Sequence, residues 1–170
     1  MKPEKAFYPW MAATILIMAA IFMFSAQTAV VSGGISNSMT RTVIEALWRW
    51  LAPGGAGATE PFIEAAETLL RKCAHFSIYF ALGFCAAHAM KRSPLLKRAS
   101  RTLLSGSVLC SLYAATDELH QHFVPGRAGM WQDWLLDTAG SVLGIGIVML
   151  LAERKRRKTT RQAPDHEPRQ

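Results

Sequence analysis

Four long apolar blocks leave this chain few ways to fold. Trp10 to Phe24, Cys73 to Met90, Thr102 to Thr116 and Trp134 to Ala152 are runs of about fifteen to nineteen residues, close to the roughly 20 needed for a helix to cross about 30 Å of hydrocarbon. In a chain of 170 residues that is 51% hydrophobic, such blocks argue against an ordinary two-layer soluble domain. The predicted class is all-α, an integral membrane four-helix bundle occupying residues 1–152 with spans at about 8–27, 71–91, 101–121 and 133–152. Residues 153–170 form a basic tail that is predicted to be disordered.

The net charge of +7 is unevenly placed, and the placement predicts an orientation. Lys2 and Lys5 precede the first block, Lys91, Arg92, Lys97, Arg98 and Arg101 fill the link between the second and third, and Arg154, Lys155, Arg156, Arg157 and Lys158 follow the fourth. Basic residues beside membrane helices tend to stay cytoplasmic, so both termini are predicted inside. The opposite links are poorer in positive charge: the first offsets Arg41, Arg49, Arg71 and Lys72 with Glu45, Glu60, Glu64 and Glu67, and the third holds Arg127. Residues 1–26 also fit a secretory signal peptide, with a basic start and small residues at Ala26 and Ala29. Cys73, Cys85 and Cys110 lie within predicted spans without CxxC spacing, which supports neither a disulfide frame nor a zinc knuckle.

In the first link, VVSGGISNS reads as a turn. Residues 39–51 then form an amphipathic helix, with Val43, Leu47 and Trp50 on one face, Ile44 and Leu51 beside them, and Arg41, Glu45 and Arg49 opposite. Such a helix suits the outer membrane interface or a seat on the bundle's own loops. PGGAGA is a break, and Thr59-Glu60-Pro61 signals a helix start. Ser93-Pro94 separates the second and third spanning helices.

Polar residues near the blocks fall almost entirely at the predicted outer end. Counted about 20 residues from the cytoplasmic ends, the spans place His75, Asp117, Glu118 and Asp137 about one turn below the outer surface, where an unpartnered charge costs on the order of a few kcal/mol. Helical spacing lets them converge: Lys72, His75, Tyr79 and Gly83 form one stripe, Tyr113, Asp117 and Gln121 a second, and Asp133, Asp137, Gly140 and Gly144 a third that ends in a small-residue seam. Pro125-Gly126 predicts a turn that brings Arg127 near two helix ends, where a guanidinium can grip a carboxylate or phosphate.

The segments FSAQ, RKCAHFSIYFALG and YAATDELHQHFVPGRAGMWQDWLLDTAGSVLG, in that order over about residues 25–146, resemble the VanZ family of small bacterial membrane proteins. That resemblance implies a polytopic envelope protein, in a family named for a member linked to teicoplanin resistance and without an agreed biochemical activity. The matching positions are Ser25, Gln27, Arg71, Lys72, His75, Tyr79, Asp117, Glu118, Gln121, Arg127, Asp133, Asp137 and Gly140. The match at FSAQ favours a retained first helix over a cleaved one.

Three functional readings follow. In the first, the cluster recognises an anionic or sugar-bearing envelope ligand, such as a lipid-linked cell-wall precursor, through Gln27, Arg71, Lys72, His75, Tyr79, Asp117, Glu118, Gln121, Arg127, Asp133 and Asp137, and affects glycopeptide susceptibility. In the second, an intramembrane enzyme acts on lipid headgroups with His75, Glu118 or Asp117 as acid or base. Its metal-dependent form would draw on His75, Asp117, Glu118 and His122, with His120 adjacent; these are weaker candidates, because His120 and His122 read as surface residues. In the third, the charges only pair with one another to set helix register. Neither a GxGxxG nor a P-loop motif occurs, so no nucleotide and no other cofactor is predicted. Expected partners are membrane lipids, with anionic headgroups at the basic tail and no nucleic acid. The expected location is the bacterial cytoplasmic membrane, crossed several times, with the polar cluster facing outside.

Overall fold

The computed structural model describes residues 7–27, 29–54, 57–93, 99–127 and 129–162. They form five helices and, among the described residues, no strand: α1 (Phe7–Ser25), α2 (Ala29–Leu51), α3 (Glu60–Met90), α4 (Ala99–His122) and α5 (Trp131–Gln162). The all-α class expected from the apolar blocks is the one adopted. Lys2, Lys5, Pro94, Lys97, Arg98 and residues 163–170, on which parts of the orientation, linker and tail readings rest, lie outside the described residues, as does the middle of PGGAGA.

Helices α3 and α5 run side by side in the same direction, since Lys72 meets Asp133, Phe76 meets Gly140 and Phe80 meets Gly144. Helix α4 runs back against both of them. The Trp134 indole N–H donates to the Ser111 carbonyl at 3.1 Å, Thr138 Oγ1 bonds Ser111 Oγ at 3.2 Å, and Gly106 lies against Ile145. Helix α1 closes the group: Trp10 stacks on His88 with ring centroids 4.2 Å apart, and the Tyr113 hydroxyl donates to the Met18 carbonyl at 2.6 Å. One end of the bundle therefore gathers Ser25, Lys72, Gln121 and Asp133, and the other gathers Trp10, His88, Arg92, Lys91 and Lys155. Between them lies a core of Ile21, Tyr79, Leu82, Ala87, Cys110, Ala114, Ile145 and Val148.

Glycine sets the α3–α5 spacing. A Cβ on Gly83 would strike the backbone of Ser141, one on Gly140 the Phe76 carbonyl, and one on Gly144 the backbone of Phe80 and Phe84. Removing those methyl-sized obstacles lets the two backbones approach, as small-residue seams do between membrane helices.

Three helices, α1, α3 and α5, are long and apolar enough to cross a membrane by length and composition. Helix α4, predicted as a fourth span, is not among them. Its outward residues Leu103, Leu104, Val108, Leu109 and Leu112 are exposed and apolar, but Thr102, Asp117, Glu118 and Gln121 turn inward, so its average is diluted by the face it buries. Exposed Ile15, Leu16, Phe22, Val142, Leu143, Leu150 and Leu151 continue the apolar surface around the other helices, more than a water-soluble monomer ordinarily shows.

The VVSGGISNS turn does not form, because α2 is helical through residues 30–38. Gly33 and Gly34 each cost about 1 kcal/mol relative to alanine, which is too little to interrupt the 23-residue helix. Farther along α2, Ile44 is buried and the Trp48 ring lies 4.8 Å from Phe62 on α3, while Arg41 pairs with Glu45 at 3.1 Å and with Glu60. Val43, Leu47, Trp50 and Leu51 remain exposed. The helix thus rests on the first turns of α3 and still presents an apolar face outward. Thr59 occupies the N-cap of α3 with Pro61 in its first turn, as the sequence signalled. The basic tail, expected to be disordered from residue 153, instead continues α5 as helix to Gln162, with Arg157 and Glu153 paired at 2.6 Å one turn apart.

Candidate functional site

The polar end is assembled by three helices and one turn. On α3, Lys72 donates to Asp133 Oδ1 of α5 at 2.6 Å, in a pair that keeps part of its surface exposed. One turn deeper, His75 Nδ1 stands 3.6 Å from Asp137 Oδ2, beyond hydrogen-bond length. One turn deeper again, the Tyr79 hydroxyl donates to Asp117 Oδ2 of α4 at 3.1 Å. Gln121 donates to the same oxygen at 3.1 Å and reaches Ser25 Oγ of α1 at 3.3 Å. The predicted stripes on α3 and α5 face one another as the 3.6-residue period requires.

The link from α4 to α5 is a built turn. Arg127 N–H donates to the Val124 carbonyl at 3.1 Å across Pro125 and Gly126, and Gly126 takes φ 78°, a conformation that favours glycine. Gly129 then lies against the Glu118 carbonyl too closely for any side chain, and the Met130 amide donates to Glu118 Oε2 at 2.9 Å. This fold-back holds Arg127 half-buried, near enough to Arg71, Asp117 and Glu118 to interact with their charges. Burial, and then Arg71, lower its pKa, while the two carboxylates act against them.

Hydrogen-bond accounting separates the acids. Asp133 is satisfied by Lys72, and Asp117 and Glu118 each have one oxygen held, as described above. Among the described residues, Asp117 Oδ1, Glu118 Oε1 and both oxygens of Asp137 are buried without a hydrogen-bond partner. Asp117 is 4% exposed, Glu118 8% and Asp137 0%, and one carboxylate oxygen from each lies within 4.8 Å of the others. Oxygen donors that converge this way could hold a cation or accept from a ligand's hydroxyl or amine groups.

The site residues named from sequence divide accordingly. Lys72, His75, Tyr79, Asp117, Glu118, Gln121, Asp133 and Asp137 come together, with Arg127 beside them. Arg71 is exposed at the rim near Arg127. Gln27 is exposed at the end of α1, and Ser25 is the α1 side chain that joins the network. Tyr113 turns to Met18 rather than into the acids. His122 is exposed, and His120 stacks on Phe22 with centroids 4.8 Å apart; the acids that lie close together are Asp117, Glu118 and Asp137, a group that includes neither His75 nor His122. Sequence reasoning missed the Met130 amide and the Ser111–Thr138–Trp134 contacts; backbone donors and helical serines leave no periodic signal.

The VanZ/LLP1 family model matches residues 10–152. The chain belongs to the VanZ/LLP1 family. No curated protein and no solved structure matches it. The VanZ/LLP1 match covers α1 to α5 up to residue 152 and includes every residue of the polar end, leaving the last basic turns of α5 outside. Membership and three membrane-length apolar helices make this a membrane protein.

Proposed function

We propose that this VanZ/LLP1-family chain recognises an anionic, hydroxyl-bearing envelope ligand, of the class of lipid-linked cell-wall precursors, at the polar end of its bundle, and thereby affects glycopeptide susceptibility. In this reading α1, α3, α4 and α5 cross the bacterial cytoplasmic membrane, both termini are inside, the polar end faces out and α2 lies in the outer interface. The basic end of α5 sits against anionic headgroups.

The observation that carries the reading is the set of buried carboxylate oxygens without donors on Asp117, Glu118 and Asp137. A purely structural ion-pair bundle accounts for Lys72 with Asp133. It also reaches Asp137 through His75 at 3.6 Å, but leaves Asp117 Oδ1, Glu118 Oε1 and the Asp137 oxygens without a hydrogen-bond donor, and an unsatisfied buried acceptor costs about 1–3 kcal/mol, and more when charged. Ligand hydroxyls or amines would satisfy them. Arg127, Arg71 and Lys72 lie beside the acids and suit a phosphate. Lys72 keeps part of its surface exposed, so it is reachable from water.

Native mass spectrometry of the purified protein tests the ligand. A polyprenyl-diphosphate sugar should be retained by the wild type and lost about tenfold or more readily from Arg127→Ala, the effect of one charge-assisted hydrogen bond. No retained lipid, or equal retention by the variant, would overturn the reading. The orientation is read on intact cells with single cysteines introduced at Glu60 and Thr159, in a background without Cys73, Cys85 and Cys110. A membrane-impermeant maleimide should label the first and not the second, and the reverse pattern would place the polar end inside.

A further inference from the structure

We infer that Asp117, Glu118 and Asp137 form a binding site for one divalent cation of calcium size. Two independent observations support it. The first is position: three carboxylate oxygens, from two helices and two successive positions on α4, converge within 4.8 Å. The second is the accounting of donors around them. Asp117 uses Oδ2 for Tyr79 and Gln121 and leaves Oδ1; Glu118 uses Oε2 for the Met130 amide and leaves Oε1; Asp137, 0% exposed, leaves both.

That division is the one a metal site needs. Each α4 carboxylate is turned by hydrogen bonds to one oxygen, so that the other is presented in a fixed direction, which is how neighbouring groups orient metal ligands. Asp137, without such a support, is free to bind through one oxygen or both. A set of oxygens suits Ca²⁺, Mg²⁺ or Mn²⁺ rather than copper or a thiolate-bound ion. Spacing then chooses among them. Ca²⁺ takes bonds of about 2.3–2.6 Å, so donors on opposite sides of it stand roughly 4.6–5.2 Å apart, whereas Mg²⁺ at about 2.0–2.1 Å needs them to close to roughly 4.2 Å. All three oxygens lie within 4.8 Å of one another, which admits the Ca²⁺ distance, and the tolerance of Ca²⁺ for irregular oxygen geometry favours it over Mg²⁺. His75 Nδ1, 3.6 Å from Asp137 Oδ2, is placed to hold the outer oxygen of that carboxylate after a small approach. The part-exposed Lys72–Asp133 pair lies one turn above Asp137, between it and water.

A cation at these acids would take up the carboxylate oxygens that the proposed ligand reading leaves to hydroxyls or amines, so the lipid would be held through Arg127, Arg71 and Lys72, and the ion is tested without lipid. A cation there would be read by calorimetry with CaCl₂ on the full chain in detergent after EDTA treatment, and by Tb³⁺ luminescence sensitised through Tyr79. One ion per chain is expected, with Ca²⁺ preferred to Mg²⁺. Asp137→Asn should weaken binding by about 100-fold or more, and Tyr79→Phe, which leaves Asp117 Oδ2 held by Gln121 alone, by about tenfold. Glu153→Gln, at the other end of the bundle, should leave it unchanged. If Asp137→Asn does not fold, Glu118→Gln is read in its place with the same expectation. Absence of a stoichiometric ion in the wild type, or binding that survives both Asp137→Asn and Glu118→Gln, would overturn the inference, and a preference for Mg²⁺ would overturn its size assignment. An ion bound without retained lipid would sink the proposed ligand alone; lipid retained after EDTA with no ion bound would sink the cation alone.

Discussion

Gly144→Leu is expected to separate α3 from α5 and to lower stability by about 3 kcal/mol or more, at or beyond the upper end of ordinary overpacking. Overpacked cores usually recover by moving side chains. Here the atoms that a Cβ would meet are the Phe80 carbonyl and, at 2.8 Å, the Phe84 amide nitrogen, both fixed in the backbone of α3. Relief requires the helices to move apart, which also opens the contacts at Gly140 and Gly83 along the same seam. Gly146→Leu is the matched control, because a Cβ there meets nothing within 4 Å. Thermal unfolding in detergent and yield from membranes should separate the two variants sharply. A Gly144→Leu protein as stable as Gly146→Leu would show that the seam is not the contact that sets the bundle.

Tyr79→Ala is expected to cost about 3 kcal/mol, the lower end of what removing a buried aromatic side chain costs. Tyr79 is fully buried, heads the core cluster and donates its hydroxyl to Asp117. Lipid tails are as apolar as the core, so the loss within a bilayer comes from packing rather than from transfer to water, and the lower end of the range is the appropriate one. Tyr79→Phe isolates the hydroxyl and should cost about 0.6–1.7 kcal/mol, the size of hydrogen bonds between membrane helices. Unfolding of both variants in the same detergent checks the division. A Tyr79→Ala loss no larger than that of Tyr79→Phe would mean that the ring does not fill the core.

Much of the polar end was legible in the chain because helical period is a geometric constraint. Lys72, His75, Tyr79 and Gly83 had to share a face of α3, and Asp133, Asp137, Gly140 and Gly144 a face of α5, once each segment was read as helix. Period does not say which residue on the opposite face is the partner. Arg127, read as lying close to the ends of both helices, leaves Asp133 to Lys72 because the turn at Pro125-Gly126 carries its guanidinium toward Arg71, Asp117 and Glu118 instead. That Asp137 and the two α4 acids share a depth and can converge was readable from the chain; how closely their oxygens approach was not, since it depends on how α4 and α5 are rotated against each other. Local signals misled in two places. Glycines and serines in residues 30–38 suggested a turn, and the charge of residues 153–162 suggested disorder, yet both are helical continuations of longer elements. For α4, read from sequence as a fourth span, the polar inner face lowers the average hydropathy, so that it does not stand with α1, α3 and α5 as apolar enough by length and composition to cross a membrane.

The glycine seam has a mechanical consequence. With backbone touching backbone at Gly83, Gly140 and Gly144, α3 and α5 have no side-chain layer to shear through, so they behave as one stiff plank that carries His75 and Asp137 together. Asp117 and Glu118 ride on α4, which meets that plank through side chains and is tethered by the fold-back at Gly129. Whatever occupies the space between the acids therefore bridges a stiff body and a softer one, and any widening of the polar end has to come from α4 tilting away rather than from the plank splitting.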